Sequence, residues 1–272
     1  MKRQSNAFQS DAEFLATKLD ADEIYELGTQ IIQEAKSDGE YLRAFAFFKA
    51  AAEMGHAGAQ NDLGQMLRNG YGCEVDIAAA IHWYEAASAQ GEVTACYNLG
   101  TVYLHGLDNR LDYALAASYL QEAAGHGHVE ACCDLGTMYR LGQGVGQDFI
   151  KAARLHLMAA ESADYVAIGN LRDYYEELVQ PALNGSLNAA NALHRIYRNG
   201  YAAEFDAGIT WAWIRWAHDM CLPAESGGPP DTACTQVRQD YLESLRTVSP
   251  VDRSRGDKQI AVWMAQRAGR GT

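Results

Sequence analysis

The chain has 272 residues, 48% of them hydrophobic, and a formal net charge of -13 from 22 Lys and Arg against 35 Asp and Glu. That apolar share supports a sizeable core, while no apolar run approaches the roughly eighteen residues of a membrane span. The acidic balance excludes non-specific nucleic-acid binding, which needs clustered Lys and Arg, although residues 222–272 alone carry 7 basic against 6 acidic side chains.

In chain order, the start MKRQSNAFQSDAEF has a basic pair but no apolar stretch of a secretory signal behind it. A cytoplasmic location is therefore expected, with residues 1–19 as an N-terminal capping segment. From residue 20 the chain repeats itself at a spacing of 36 residues: Leu27-Gly28, Leu63-Gly64, Leu99-Gly100 and Leu135-Gly136 recur in one register. So do Gly55, Gly91 and Gly127, then Gly70, Gly106 and Gly142, then Asp76, Asp112 and Asp148. Alanines keep step as Ala51, Ala87, Ala123 and Ala159, and large residues as Phe47, Trp83, Tyr119 and Leu155.

Each column has a physical reason. Within residues 56–91, Ala59, Leu63, Met66 and Leu67 share one side of a helix, and Ala80, Trp83, Tyr84 and Ala87 one side of a second. The unit is a helical hairpin with two apolar stripes. Glycines 70, 106 and 142 stand where the first helix stops, and 55, 91 and 127 where the second stops. The aspartates are placed to cap the second helix at its N-terminus. A mid-helix glycine costs about 1 kcal/mol against alanine, so Gly64, Gly100 and Gly136 are expected to permit close helix contact. One hairpin leaves a stripe uncovered, and stacking neighbours buries it.

The units are 20–55, 56–91, 92–127 and 128–163, with a further one at 186–221, where YRNGYAAEFDAGITWAWIRWA parallels LRNGYGCEVDIAAAIHWYEAA of the second. Between them, 164–185 keeps Ala167, Leu171 and Tyr175 in register but is 14 residues short, as if loop and second helix were lost. The segment LPAESGGPPD from 222 is a loop, and TACTQVRQDYLESLR and KQIAVWMAQRA read as closing helices, so 222–272 caps the far end.

This frame, A-x3-LG-x2-Y, a Gly-bearing loop, then D-x3-A-x2-W/Y-x3-A-x3-G, resembles the Sel-one-like repeat (SLR), a relative of the tetratricopeptide repeat, over roughly residues 20–221. The resemblance implies an all-α, right-handed α/α superhelical solenoid acting as adaptor or scaffold in bacterial or eukaryotic complexes. It also implies, for cysteine-rich members, a disulfide joining the two helices of a repeat. Cys96 and Cys132 occupy first-helix positions here, but the second-helix sites that would pair with them are Ala123 and Ala159, so that pattern is absent. Cysteines without such partners fit a reducing compartment, with Cys221 and Cys234 left able to meet in the fold.

In such an architecture the first helices line the concave side. Counting at 100° per residue, the columns turned away from the apolar stripe hold Tyr25, Asn61, Tyr97, Cys133 and Asn191, then Thr29, Gln65, Thr101, Thr137 and Arg195, then Ile32, Arg68, Leu104, Arg140 and Arg198. The expected groove grips a protein or peptide, amides bonding its backbone and arginines its carboxylates. The bland alternative is a solvated helix face. Trp211 and Trp216 flank the core position of Trp213, and at least one of them is expected at a contact surface. Arg253, Arg255 and Lys258 read as a soluble loop.

AGHGHVEACCDLG, residues 124–136, gathers ligand types for a metal in His126, His128, Cys132 and Cys133. Yet Gly127-His128 aligns with Gly55-His56 and Cys132 with Cys96, so a repeat junction explains most of it. No P-loop, dinucleotide glycine fingerprint, G-x-S-x-G or H-E-x-x-H is present. The expectation is a non-catalytic, monomeric interaction scaffold with no cofactor. The alternatives are a regulator or immunity protein that neutralises a specific effector and, more remotely, a metal- or thiol-dependent enzyme.

Overall fold

The computed structural model describes residues 12–35, 37–201, 205–221 and 232–268. The first eleven residues of the expected N-terminal cap and the whole expected loop at 222–231 lie outside the described residues. Among the described residues there is no strand. The hairpins are α1 (Ala21–Glu34) with α2 (Asp38–Glu53), α3 (Ala57–Asn69) with α4 (Ile77–Ser88), α5 (Val93–Leu104) with α6 (Tyr113–Gly125), and α7 (Val129–Leu141) with α8 (Phe149–Glu161). Then come α9 (Tyr165–Tyr174), a 3-10 turn (Tyr175–Leu178), α10 (Val179–Leu183), α11 (Leu187–Arg198), α12 (Ala207–Met220), α13 (Thr232–Thr247) and α14 (Pro250–Ala268). The chain divides into two compact units, one through Ala131 and one from Cys132.

In the first unit the repeat columns do what their chemistry requires. Asp76 accepts from the Ala79 N–H at 2.9 Å and Asp112 from the Leu115 N–H at 3.0 Å. Their own backbone N–H groups close the preceding loops onto Leu67 O and Tyr103 O. The turn before each aspartate needs a left-handed residue, and Gly70 and Gly106 supply φ of 74° and 64°. The Leu-Gly glycines serve contact instead. A methyl group added at Gly64 would lie 2.7 Å from Tyr84 Cε1, and one at Gly100 2.7 Å from Leu120 Cγ.

That contact corrects one expectation: Tyr84, seated on Gly64, is the fully buried ring, while Trp83 is half-buried. Ile24, Ala44, Phe47, Phe48, Ala59, Leu63 and Met66 form one stretch of core, which Leu15 and Leu19 cover from the N-terminal side. Ala80, Tyr84, Ala87, Ala95, Leu99 and Val102 form the next.

In the second unit Asp148 and Asp206 cap α8 and α12 in the same way. The short repeat keeps Ala167 and Leu171 buried. It has not lost its second helix entirely: a five-residue helix, α10, remains behind the 3-10 turn. Tyr174, not Tyr175, is the residue held inside, because its hydroxyl bonds to the buried His156 Nδ1 at 2.8 Å.

The far end closes with α13 and α14 packed on α12. Trp213 stacks on Trp263 with ring centroids 4.0 Å apart. Trp211 and Trp216 are buried as well, which corrects the expectation that one of them meets a partner. Each indole N–H is spent inside the chain, Trp211 on Asp257 at 3.0 Å and Trp216 on Ala182 O at 3.1 Å. The basic segment read as a loop is the first half of α14. Ser249 caps it through the Asp252 N–H, Pro250 opens it, and Arg255 binds Asp206 at 2.8 Å. Cys221 and Cys234 are joined as a disulfide with Cα atoms 5.4 Å apart, which ties the end of α12 to α13.

Candidate interaction surface

The first-helix columns come together as a ladder of polar bonds between neighbouring repeats. In the first unit Tyr25 donates its hydroxyl to Asp62 at 3.0 Å, and Asn98 donates to Asn61 at 2.9 Å. Asn61 also bonds to Asp62, and Arg68 donates to Thr101 Oγ1 at 3.1 Å. The second unit repeats the pattern: Asn170 donates to Thr137 Oγ1 at 3.2 Å and meets Cys133 Sγ at 3.8 Å, while Arg140 pairs with Asp173 at 3.9 Å. Each rung joins a first helix to the next first helix, 33 or 37 residues further along.

Burial shapes the electrostatics of these rungs. It raises the Asp62 carboxyl, and burial together with the Asp62 charge pushes the Tyr25 phenol up to about 12. His156 sits over Gly136, where an added methyl would lie 2.8 Å from its ring, and burial brings it down to about 4. Its Nε2 lies 3.1 Å from the Cys133 carbonyl and 3.2 Å from Asn170 Nδ2, and its Nδ1 lies 2.8 Å from the Tyr174 hydroxyl.

Several expected site residues are therefore spent on the stack. Tyr25, Asn61, Arg68, Thr101, Thr137 and Arg140 are rungs, and Thr29 bonds back to Tyr25 O. Tyr97 is half-buried against His128, rings 4.4 Å apart, and Leu104 is half-buried. Gln65 and Arg198 are exposed. The expected columns missed Asp62, Asn98, Asn170 and Asp173. Asp62, Asn98, Asp134 and Asn170 did carry a signal, since each stands immediately before a core leucine.

The ligand-type cluster at 124–136 serves the repeat junction. His128 Nδ1 accepts from the Ala131 N–H at 3.4 Å, as His56 does from Ala59. His126 is exposed, Cys132 and Cys133 are buried, and burial pushes the Cys133 thiol up to about 12, far from a ligating thiolate. Among the described residues no three His, Cys, Asp or Glu side chains converge as a metal site.

The Sel1 repeat family model matches residues 21–56, 57–92, 93–128 and 129–164, more than half of the chain. The chain belongs to the Sel1 repeat family. Members are generally protein-interaction scaffolds and typically non-catalytic. Protein sel-1 homolog 2 of Rattus norvegicus is 35% identical over 81 residues, 30% of this chain and 12% of that protein, so the chain spans a small part of that relative's length. A Sel1 repeat protein from Oxalobacter formigenes superposes with a TM-score of 0.53 at 23% identity, covering 83% of this chain and 88% of that one. A protective antigen of uropathogenic Escherichia coli with an SLR fold gives 0.55 at 22% identity, covering 96% of this chain and 56% of that one. These likenesses show the solenoid fold of consecutive helical hairpins.

Beyond the four matched Sel1 repeats, α11 carries Asn191, Arg195 and Arg198 into a pocket of about 760 Å³, lined also by Glu161 of α8 and by Gln236 and Asp240 of α13. Arg195 holds Glu161, and Arg198 holds Glu243 through two 3.1 Å bonds with Asp240 at 3.7 Å. Asn191 Oδ1 is buried with no hydrogen-bond partner. Residues from α8 and α13 have no common period with α11, so no spacing in the sequence announces this pocket.

Proposed function

We propose that this Sel1 repeat chain is a non-catalytic scaffold that holds a partner protein along the first-helix face of its repeats. The observation that carries the reading is the division of labour on that face. The rungs Tyr25–Asp62, Asn61–Asn98 and Arg68–Thr101 fix the spacing of the helices, and Gln65 between them stays exposed and free of the core. A face whose backbone is held by its own side chains presents its remaining polar groups in fixed positions, which lowers the ordering cost of binding. No enzymatic role is proposed: the buried His156 and Cys133 are spent on bonds within the stack. No helix among the described residues is long and apolar enough to cross a membrane.

The test is photo-crosslinking from single positions in the tagged chain, captured from native lysate. A benzophenone amino acid at Gln65 should crosslink a partner that the same group at Glu85, exposed on a second helix, does not. Equal crosslinking from both positions, or from Glu85 alone, removes the first-helix face as the site.

A further inference from the structure

The pocket beside α11 has a composition that the repeat stack does not require. Asn191, Arg195 and Arg198 stand at i, i+4 and i+7 on one helix, so they project from a single face. Both guanidinium groups already hold carboxylates: Arg195 holds Glu161 and Arg198 holds Glu243, whose side chains are 51% and 55% exposed, and Arg198 also faces the enclosed Asp240 at 3.7 Å. Exposed ion pairs are weak and exchange readily. Buried alongside them, Asn191 Oδ1 is an acceptor with no donor, and a buried polar atom left unpaired is costly.

Asn191 thus lacks an N–H donor, and Arg195 and Arg198 each hold one exposed carboxylate that is replaceable, Glu161 and Glu243. A peptide carrying a carboxylate supplies both: its backbone N–H to Asn191 and its acid to an arginine in the fork geometry that guanidinium favours. A phosphate or a simple carboxylate supplies only the second. Resting on the scaffold reading above, we infer that this pocket receives an acidic peptide segment of the partner, and that Glu161 and Glu243 are resident competitors for its arginines. Binding exchanges one carboxylate for another at Arg195 and Arg198, with no change in the number of charges paired. Asp240, mostly enclosed and bonded to Gln236 at 3.0 Å, stays in place as part of the wall.

Competition of this kind gives the test a distinctive sign, because removing an acid from the pocket strengthens binding. The probe is a fluorescein-labelled hexapeptide of alternating Glu and Gly, read by fluorescence anisotropy against the full chain, with the matching Lys peptide beside it. The wild type should bind the acidic peptide more tightly than the basic one, and less tightly at high salt. Glu161→Gln with Glu243→Gln should tighten binding by roughly threefold. The same charge change at Glu85→Gln with Glu122→Gln, on second helices, should leave it unchanged. Arg195→Gln with Arg198→Gln should abolish it while helicity is kept.

Preference for the Lys peptide, no binding of the acidic one, or an affinity indifferent to the Glu161 and Glu243 substitutions overturns the inference. Because the crosslinking at Gln65 probes a different repeat, a failed pocket with crosslinking intact removes only this inference. A failed crosslink with peptide binding intact removes the first-helix face instead.

Discussion

Asn98 donates to Asn61 across 2.9 Å, with both side chains buried, and so joins α5 to α3 one repeat apart. Replacing Asn98 by leucine leaves the Asn61 carbonyl without its donor in a closed environment. The expected loss is about 1–3 kcal/mol of folding free energy, measured by urea unfolding. Substitution of the exposed Gln65 by alanine should stay within about 0.5 kcal/mol. A silent Asn98→Leu would show that the rung does not hold the stack.

Two glycines with opposite surroundings test the contact argument. Gly100→Ala drives a methyl to 2.7 Å from Leu120 Cγ, so despite the gain in helix propensity it should destabilise by about 1–3 kcal/mol. Gly125, at the end of α6, has nothing within 4 Å of an added methyl, and Gly125→Ala should stabilise by about 0.5–1 kcal/mol. Thermal melts of the two variants should move in opposite directions.

Those glycines also mark how far the sequence could be read. The Leu-Gly column, the loop glycines and the capping aspartates are local devices repeated at a fixed spacing, so one chain displays them without any knowledge of tertiary contacts. The face they leave outward was legible, but its use was not. Whether Arg68 or Asn61 meets solvent or a neighbouring repeat depends on the distance between stacked helices, which the period does not encode. Trp211 and Trp216 failed as surface candidates for a similar reason: α14, which covers them, begins at Ser249-Pro250, a capping signal obscured by a run of charges and Gly256. Gly256 itself lies close against Trp211, an added methyl falling 2.7 Å from Trp211 Cδ1. The pocket at α11 depends on α8 and α13, whose residues share no register with it.

Acid should loosen the second unit. His156 and His194 are both buried, and burial lowers each from 6.5 to about 4. The unfolded chain then takes up protons that the native chain refuses, so stability is at its plateau above the unfolded value and falls as the pH drops from 6.5 towards 4. A shift of this size corresponds to about 3 kcal/mol per ring at the acid end. The groups facing His156 are Tyr174, Cys133, Thr137 and Asn170 with the Arg140 and Asp164 charges, while Thr210 O and the Asp240, Arg198 and Arg195 charges act on His194. The raised Asp62 carboxyl in the first unit works the opposite way on acidification. Urea midpoints at pH 7.5 and 5.0 should show the loss, and His156→Gln should reduce it. Equal midpoints would contradict the assignment of two neutral buried rings.

The cysteines make a countable prediction. Cys73, Cys96, Cys132 and Cys133 carry thiols, and Cys221 is bonded to Cys234. Unfolded without reductant, the protein purified under oxidising conditions should show four reactive thiols, and six after reduction. In the native state Cys133 should react slowly, since burial raises its thiol to about 12 and the thiolate is the reactive form. Six thiols before reduction would remove the covalent tie between α12 and α13.

The central claim is that a partner lies along the first helices of the repeats. Hydrogen exchange of the chain, free and in complex with the captured partner, tests it most directly. New protection is expected in peptides from α3 and α5, with α4 and α6 exchanging as in the free chain. Protection confined to α4 and α6 would place the partner on the second helices and contradict it.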